Sequence, residues 1–324
     1  MRAVLVERWM EPDALAVSDV PEPEVAAGTV KVEVRAAGCN FFDILMVRGQ
    51  YQVRPPFPFI PGAELGGVVC EVGPGVTNLA RGDRVLASVP LGAFAERAVV
   101  PAAAARVMPR GMSFEDGAAI PIVYPTSYAG LVDRAALRPG EALLVHAAAG
   151  GVGLAAVQIG KTLGARVLAT AGGAEKLDVA RRAGANVTID YRDADWVDRV
   201  RRATDGRGAD VIYDSVGGNV FDASLKCIAW NGRLLVIGFA SGRIPEVKLN
   251  RVLLKNIALV GLHWGAHAVH DPERMNAVIA AVLRLYAEGR IKPVIYRSYP
   301  LAELPAALAA LGSRQSYGKI VVTP

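Results

Sequence analysis

Apolar residues recur in two rhythms along the chain, and the change between them falls near residue 121. In the first stretch, short runs at Val30 to Ala37, Gly66 to Val72, Val85 to Ala87 and Phe94 to Val100 alternate with turns and with the Pro55–Pro61 loop. That rhythm predicts an antiparallel, barrel-like domain. Ser113-x-x-Asp116 reads as a capping box opening a short helix, and Pro121 and Pro125 mark the passage to the second rhythm. From there, continuous apolar runs at Ala142 to Ala147, Arg166 to Thr170, Val187 to Asp190, Val211 to Asp214, Leu234 to Ile237 and Ile257 to Gly261 read as buried parallel strands. Helical stretches at Val152 to Leu163, Ala174 to Ala183, Asp195 to Thr204 and Val220 to Trp230 lie between them. Strand and helix in alternation predict an α/β, doubly wound parallel sheet of six strands. After Gly265 the alternation stops, leaving a helix at 273–288, a strand at 294–299, a helix at 304–312 and a last strand at 319–323. This tail is too short for a third core, so it is expected to fold back on the first domain. The predicted plan is a catalytic domain of residues 1–122 completed by 265–324, with a nucleotide domain of residues 123–264 inserted.

Composition narrows the classes. With 324 residues and 52% hydrophobic side chains the chain can build real cores, which excludes intrinsic disorder. The 36 basic and 31 acidic residues leave a formal charge of +5, but without a long basic run no specific nucleic-acid partner is expected. Ala142 to Gly160 holds 19 residues without a formal charge, nearly a membrane span. The glycine cluster at its centre suits a tight turn instead, so no membrane partner is expected. Three cysteines, Cys39, Cys70 and Cys227, are too few for a disulfide framework and fit a reducing interior. The alternating segment Ala3 to Trp9 does not read as a targeting peptide, and a cytoplasmic location is expected.

The run Leu143-Leu-Val-His-Ala-Ala-Ala-Gly150-Gly-Val-Gly153 sets a glycine-rich turn between a predicted strand and a predicted helix. Against G-x-G-x-x-G it carries Ala148 in the first place, and small residues still let backbone amides and the helix N-terminus approach a pyrophosphate. An NAD-selective site places an acid about 20 residues on, at the end of the second strand. Here that place reads Ala171-Gly172-Gly173. Without a carboxylate a 2′-phosphate is not repelled, and Lys176 offers it a cation, so the cofactor expected is NADPH. Glu175 is the counter-argument, and a solvated role for Lys176 is the alternative.

The segments Gly38-Cys-Asn40-Phe-Phe-Asp43, Arg48-Gly-Gln-Tyr51, Pro61-Gly-Ala-Glu64-Leu-Gly-Gly67, Gly82-Asp-Arg-Val85 and Ala147 to Gly153 together resemble the quinone oxidoreductase branch of the medium-chain dehydrogenase/reductases. The resemblance spans almost the whole chain. It implies a GroES-like β-barrel catalytic domain, a Rossmann domain, and an active site between them. In zinc alcohol dehydrogenases of the same superfamily a Cys and a His bind the catalytic metal, whereas Asn40 and Ala63 stand in those places here. The expectation is therefore a metal-free site, with Cys39 a buried small hydrophobe.

Without a Lewis acid, activated acceptors are the sensible substrates: a quinone or conjugated carbonyl already delocalises the charge that hydride addition creates. Candidates to stabilise the developing oxyanion are Asn40, Asp43 and Tyr51. Asn40 and Asp43 also have a plain role as caps of a short helix, and Tyr51 as a packed tyrosine. The resemblance further places Asn40 and Thr126 near the nicotinamide, with Phe41 among the cofactor-binding positions. It puts Gly150, Gly151, Val152 and Gly153 at the pyrophosphate, and Gly172, Gly173, Lys176 and Tyr191 around the adenosine 2′-phosphate. Gly238, Phe239, His263 and Trp264 pass the nicotinamide ribose, and Arg314 is a further cofactor-side position. His263, His267 and His270 are read as a mobile loop, not a metal face.

The function expected is an NADPH-dependent quinone oxidoreductase. The first alternative is an NADPH-dependent reductase of enal, enone or enoyl-thioester double bonds, and the second a non-catalytic NADPH-binding protein, structural or RNA-binding. Residues 257–262 form an apolar edge strand, on which a homodimer is expected.

Overall fold

The computed structural model describes residues 1–324 and divides into two compact units, Met1–Ile122 with Pro293–Pro324, and Val123–Lys292. The first is organised around the strand Thr29–Cys39. Val30, Val32 and Val34 are buried at period two, but its last four residues, Ala36 to Cys39, are all buried. A strand buried on both faces at one end has something packed against its normally solvated face. The sheet runs Ile295–Pro300, Lys319–Thr323, Thr29–Cys39, Glu64–Val72, Arg84–Ser88, Ala105–Val107, and Arg97–Pro101 also pairs with Thr29–Cys39. All these pairings are antiparallel except that of Ile295–Pro300 with Lys319–Thr323. The helix Leu304–Gly312 supplies the crossover that a parallel pair requires. Ile320 lies opposite Cys39, and this register brings Lys319 to the end of the strand where the next helix begins.

In the second unit six parallel strands lie in the order Val187–Asp190, Arg166–Ala171, Ala142–Val145, Ala209–Asp214, Ile228–Val236, Ala258–Gly261. The first strand in sequence, Ala142–Val145, sits inside the sheet, so the chain winds outward in both directions. Helices Gly151–Thr162, Ala174–Ala183, Trp196–Ala203 and Gly218–Cys227 connect them.

Three expectations are corrected. The helix anticipated at Val220 to Trp230 ends at Cys227, because the buried Ile228 and Ala229 open the next strand, with Ile228 opposite Ala209. Residues 265–292 stay with the nucleotide unit and do not return to the first. The helix Pro272–Ala287 buries Val278 against Ala129 and Trp264, and Arg274 pairs with Asp133. Gln158 then exchanges hydrogen bonds of 2.8 and 2.9 Å with the backbone of Lys292. The histidine segment is helical, not a loop: a turn at Trp264–Ala266 runs into His267–His270, with the His267 ring 5.1 Å from Trp264.

Candidate active site

The helix Phe41–Val47 starts from Asn40, whose backbone is extended and whose N–H donates to Asp43 Oδ2 at 2.7 Å. The capping reading of these two residues is thus realised in the structure. Behind the cap lies a buried polar cluster. Asn40 Nδ2 donates to Glu64 Oε1 at 2.8 Å, while Lys319 Nζ donates to Glu64 Oε1 at 2.6 Å, to Asn40 Oδ1 at 2.8 Å and to the Cys39 carbonyl at 2.7 Å. The remaining Glu64 oxygen accepts from Ile122 N–H at 3.0 Å. Glu64 is fully buried, and Lys319 and Asn40 nearly so. Gly38 makes room for this cluster: a Cβ there would lie 2.5 Å from Glu64 Oε1 and 2.4 Å from the Ala118 carbonyl.

Both ends of the Asn40 amide are thereby committed within the cluster. Asp43 Oδ1 has no hydrogen-bond partner, and burial raises its carboxyl pKa to about 7 against the pull of the Asn40 N–H and Lys319. Burial also pushes the Cys39 thiol far above its ordinary value, so it is inert as a nucleophile at neutral pH. Tyr51 is half-buried, with its ring 5.4 Å from Phe42. Burial and the charge of Asp43 raise its pKa, so the phenol keeps its proton. Phe41 is exposed at the start of the helix, and Arg314 lies in the turn before Lys319–Thr323.

The other candidates follow the C-terminal ends of the parallel strands, where open α/β sheets take their ligands. Gly150 to Gly153 lead from Ala142–Val145, Gly172 and Gly173 from Arg166–Ala171, and Tyr191 from Val187–Asp190. Gly238 and Phe239 follow Ile228–Val236, and His263 and Trp264 follow Ala258–Gly261. The helix Gly151–Thr162 starts from Gly150, and no side chain caps it. Gly153 is forced by close approach: a Cβ would stand 2.3 Å from the Ala147 carbonyl. Thr126 is held near this loop, since its neighbour Ser127 donates to the Val152 carbonyl at 3.0 Å. The helix Ala174–Ala183, carrying Lys176, likewise starts from Gly173 without a side-chain cap.

Around Gly172 and Gly173 the structure adds residues that sequence reasoning missed. A Cβ on Gly172 would lie 2.8 Å from the Tyr191 hydroxyl, and one on Gly173 3.4 Å from the Arg192 guanidinium. Asp190 Oδ2 accepts from Gly173 N–H at 3.0 Å and is gripped by Arg192 at 2.6 Å. The Arg192 side chain, aided by the backbone N–H groups of Arg192 and Gly173, holds the Asp190 carboxyl well below the usual range. The run Asp190-Tyr191-Arg192 was the available signal. Glu64 was visible only as part of a motif, and Lys319 carried none.

One unit with a loop-to-helix turn on a doubly wound sheet and another, barrel-like, with a buried polar cluster together define a dehydrogenase/reductase architecture. Residues 26–110 match the alcohol dehydrogenase GroES-like domain and residues 151–284 the zinc-binding dehydrogenase model. The chain belongs to the medium-chain dehydrogenase/reductase superfamily and is an oxidoreductase, with a GroES-like and a Rossmann unit. Within that superfamily it resembles the quinone oxidoreductase-like protein 2 homolog of Nematostella vectensis, at 43% identity over 99% of this chain and 88% of the relative. The mouse quinone oxidoreductase-like protein 2 is 35% identical over 99% of this chain and 92% of its own. Among solved structures, Escherichia coli quinone oxidoreductase complexed with NADPH superposes with a TM-score of 0.92 at 31% identity, over 100% of both chains.

The matched model's name raises zinc, but the residues do not fit it. No group of three or more His, Cys, Asp or Glu side chains is arranged to hold a metal. The one buried carboxylate of the cluster, Glu64, is neutralised by an ammonium, and Cys39 is held as a thiol.

Proposed function

We propose that this oxidoreductase is an NADPH-dependent quinone reductase working without a metal. The observation that carries the reading is the Lys319 ammonium on Glu64, a charge-neutral buried cluster that leaves no Lewis acid to polarise a simple carbonyl. The residues fit the dinucleotide. The uncapped helix start at Gly150 suits its pyrophosphate, and Lys176, Tyr191 and Arg192 with Gly172 and Gly173 suit its 2′-phosphate. When bound, NADPH supplies a hydride. Similarity to the quinone oxidoreductase complexed with NADPH supports the same assignment.

Tyr51 is the proton donor to the acceptor oxygen in this reading, because its phenol stays protonated and its ring is only half-buried. Asn40 and Asp43 hold the helix that carries Phe41 and Phe42, with Asn40 serving through its place in the cluster. Thr126, Gly238, Phe239, His263, Trp264 and Arg314 complete the cofactor contacts. Three unpaired thiols support a cytoplasmic setting. The strand Ala258–Gly261 is the sheet's edge, and the preceding helix exposes Leu249, Leu253 and Leu254, which supports a homodimer across that edge.

A second reading, reduction of a conjugated carbon-carbon double bond, is favoured by the same protonated Tyr51, which suits protonation of a carbon or an enolate oxygen. The test follows NADPH oxidation with an ortho-quinone, a para-quinone, an enal and an enoyl thioester, with and without EDTA. Quinone turnover insensitive to EDTA is the expected result. Turnover of the enal or thioester alone selects the second reading, and NADPH binding without turnover of any acceptor overturns both. Tyr51→Phe is expected to lower kcat by about 100-fold on the productive acceptor, the usual range for a lost general acid.

A further inference from the structure

A cavity of about 190 Å³ opens in the nucleotide unit, lined by Arg201, Arg207, Lys226 and Lys255 together with Gly206, Gly208, Cys227 and Ile228. It is remote in topology from the glycine loop. Gly208 precedes the strand Ala209–Asp214 and Ile228 opens Ile228–Val236, so the cavity sits at the N-terminal ends of the parallel strands. Gly150 to Gly153 follow the C-terminal end of theirs.

Four basic side chains line this cavity and no acidic one does. Two of them have backbone partners. Arg201 donates to the Lys226 carbonyl through Nη2 at 2.6 Å and Nε at 3.1 Å, and Lys255 Nζ donates to the Leu225 carbonyl at 2.7 Å. These carbonyls close the helix Gly218–Cys227, whose C-terminus carries only about half a negative charge. Asp198 stands 4.0 Å from Arg201 on an exposed face, and Arg207 and Lys226 form no ion pair. Helix capping therefore accounts for two cations and leaves the charge of the others unbalanced. Burial and the nearby Arg201 lower the pKa of Lys255, in keeping with a like-charge cluster that lacks its counter-ion.

We propose that this cavity is a binding site for a compact phosphate or pyrophosphate group of a small molecule, separate from the dinucleotide site. Arg207 and Lys226 supply free donors, and Arg201 and Lys255 retain N–H groups beyond those spent on the helix end. The cavity, about 190 Å³ and open to solvent, has room for a group of phosphate or pyrophosphate size.

The test titrates inorganic pyrophosphate and orthophosphate into the protein and follows backbone amide resonances by NMR. The amides of Gly206 and Gly208 report this cavity, while those of Gly150, Gly151 and Gly153 report the glycine loop separately. The proposal expects Gly206 and Gly208 to shift saturably. The double variant Arg207→Ala/Lys226→Ala should weaken that response at least about tenfold, and Arg207→Lys/Lys226→Arg should keep it within about threefold. Arg207 and Lys226 are both exposed, and NADPH affinity, unchanged in each double variant, verifies the fold. Shifts confined to the glycine loop, equal responses in wild type and the alanine variant, or tighter binding of a single-stranded oligonucleotide than of pyrophosphate would each overturn the proposal.

Discussion

Two helix starts in this molecule are built in opposite ways. At Asn40 the protein fills the site itself: Asp43 takes the Asn40 N–H, and Glu64 and Lys319 consume both ends of the Asn40 amide. At Gly150 no side chain caps the helix, and the neighbouring polar group, His146, is turned away into the core. Its ring nitrogens lie 2.8 Å from Thr170 Oγ1 and 2.8 Å from Ser224 Oγ, a neutral, fully paired arrangement. The contrast teaches where a ligand is expected. A helix end that satisfies its own donors is architecture, whereas one left bare beside a well-paired core is prepared for an anion.

The strongest way to break the comparison is to damage the self-filled start. Lys319→Met leaves the Glu64 carboxylate buried without its cation, and chemical denaturation should show the first unit destabilised by about 3–5 kcal/mol. Adding Glu64→Gln should recover much of that loss, because the carboxylate that Lys319 neutralised is then gone as well. A Lys319→Met variant as stable as wild type would mean the cluster is not the anchor described.

Next comes the bare start. Gly153→Ala drives a methyl group to 2.3 Å from the Ala147 carbonyl. The displaced loop should cost about 1–3 kcal/mol of stability and weaken NADPH at least about tenfold in an equilibrium titration. Unchanged affinity would separate the loop from cofactor binding.

The two regions should also answer pH with opposite slopes. Asp43 has its carboxyl raised from 3.8 to about 7, so the folded state holds a proton that the unfolded state has released. Its unit should lose stability as pH rises from about 4 to 7, and Asp43→Asn should flatten that slope. His146 is lowered by burial from 6.5 to about 4, so the unfolded state takes the proton first. Its unit should lose stability as pH falls from about 6.5 to 4, and His146→Gln should remove the effect. Amide hydrogen exchange resolves the two units in one experiment. Parallel slopes would undo the assignment.

The smallest expected effect concerns Arg192. Arg192→Ala should weaken NADPH about threefold more than NADH, since it removes a cation and exposes the Asp190 charge beside Gly173.

Much of this was legible in the sequence, and the reason is range. The six parallel strands and the turn at Gly150 to Gly153 announce themselves through local periodicity and glycine spacing. Ser113 accepting from Asp116 N–H at 3.0 Å was likewise written in four consecutive residues. The Glu64–Lys319 pair joins residues 255 positions apart, and only the register of Ile320 opposite Cys39 brings them together. Residues 265–292 were misassigned for a related reason. A helix pattern shows that a face is buried, but not that Val278 will meet Ala129. Asp190 falls outside the dinucleotide pattern, which puts its acid at the end of the second strand, while this carboxylate reaches Gly173 from the third.

The bare start at Gly150, together with Lys176 at the start of the next helix, is proposed to serve a dinucleotide bearing a 2′-phosphate. This role is tested most directly by measuring equilibrium dissociation constants for NADPH and NADH on wild type and Lys176→Ala. NADPH is expected to bind wild type at least about tenfold tighter than NADH, with most of that preference lost in the variant. Equal affinities on wild type, or a preference untouched by the substitution, would contradict it.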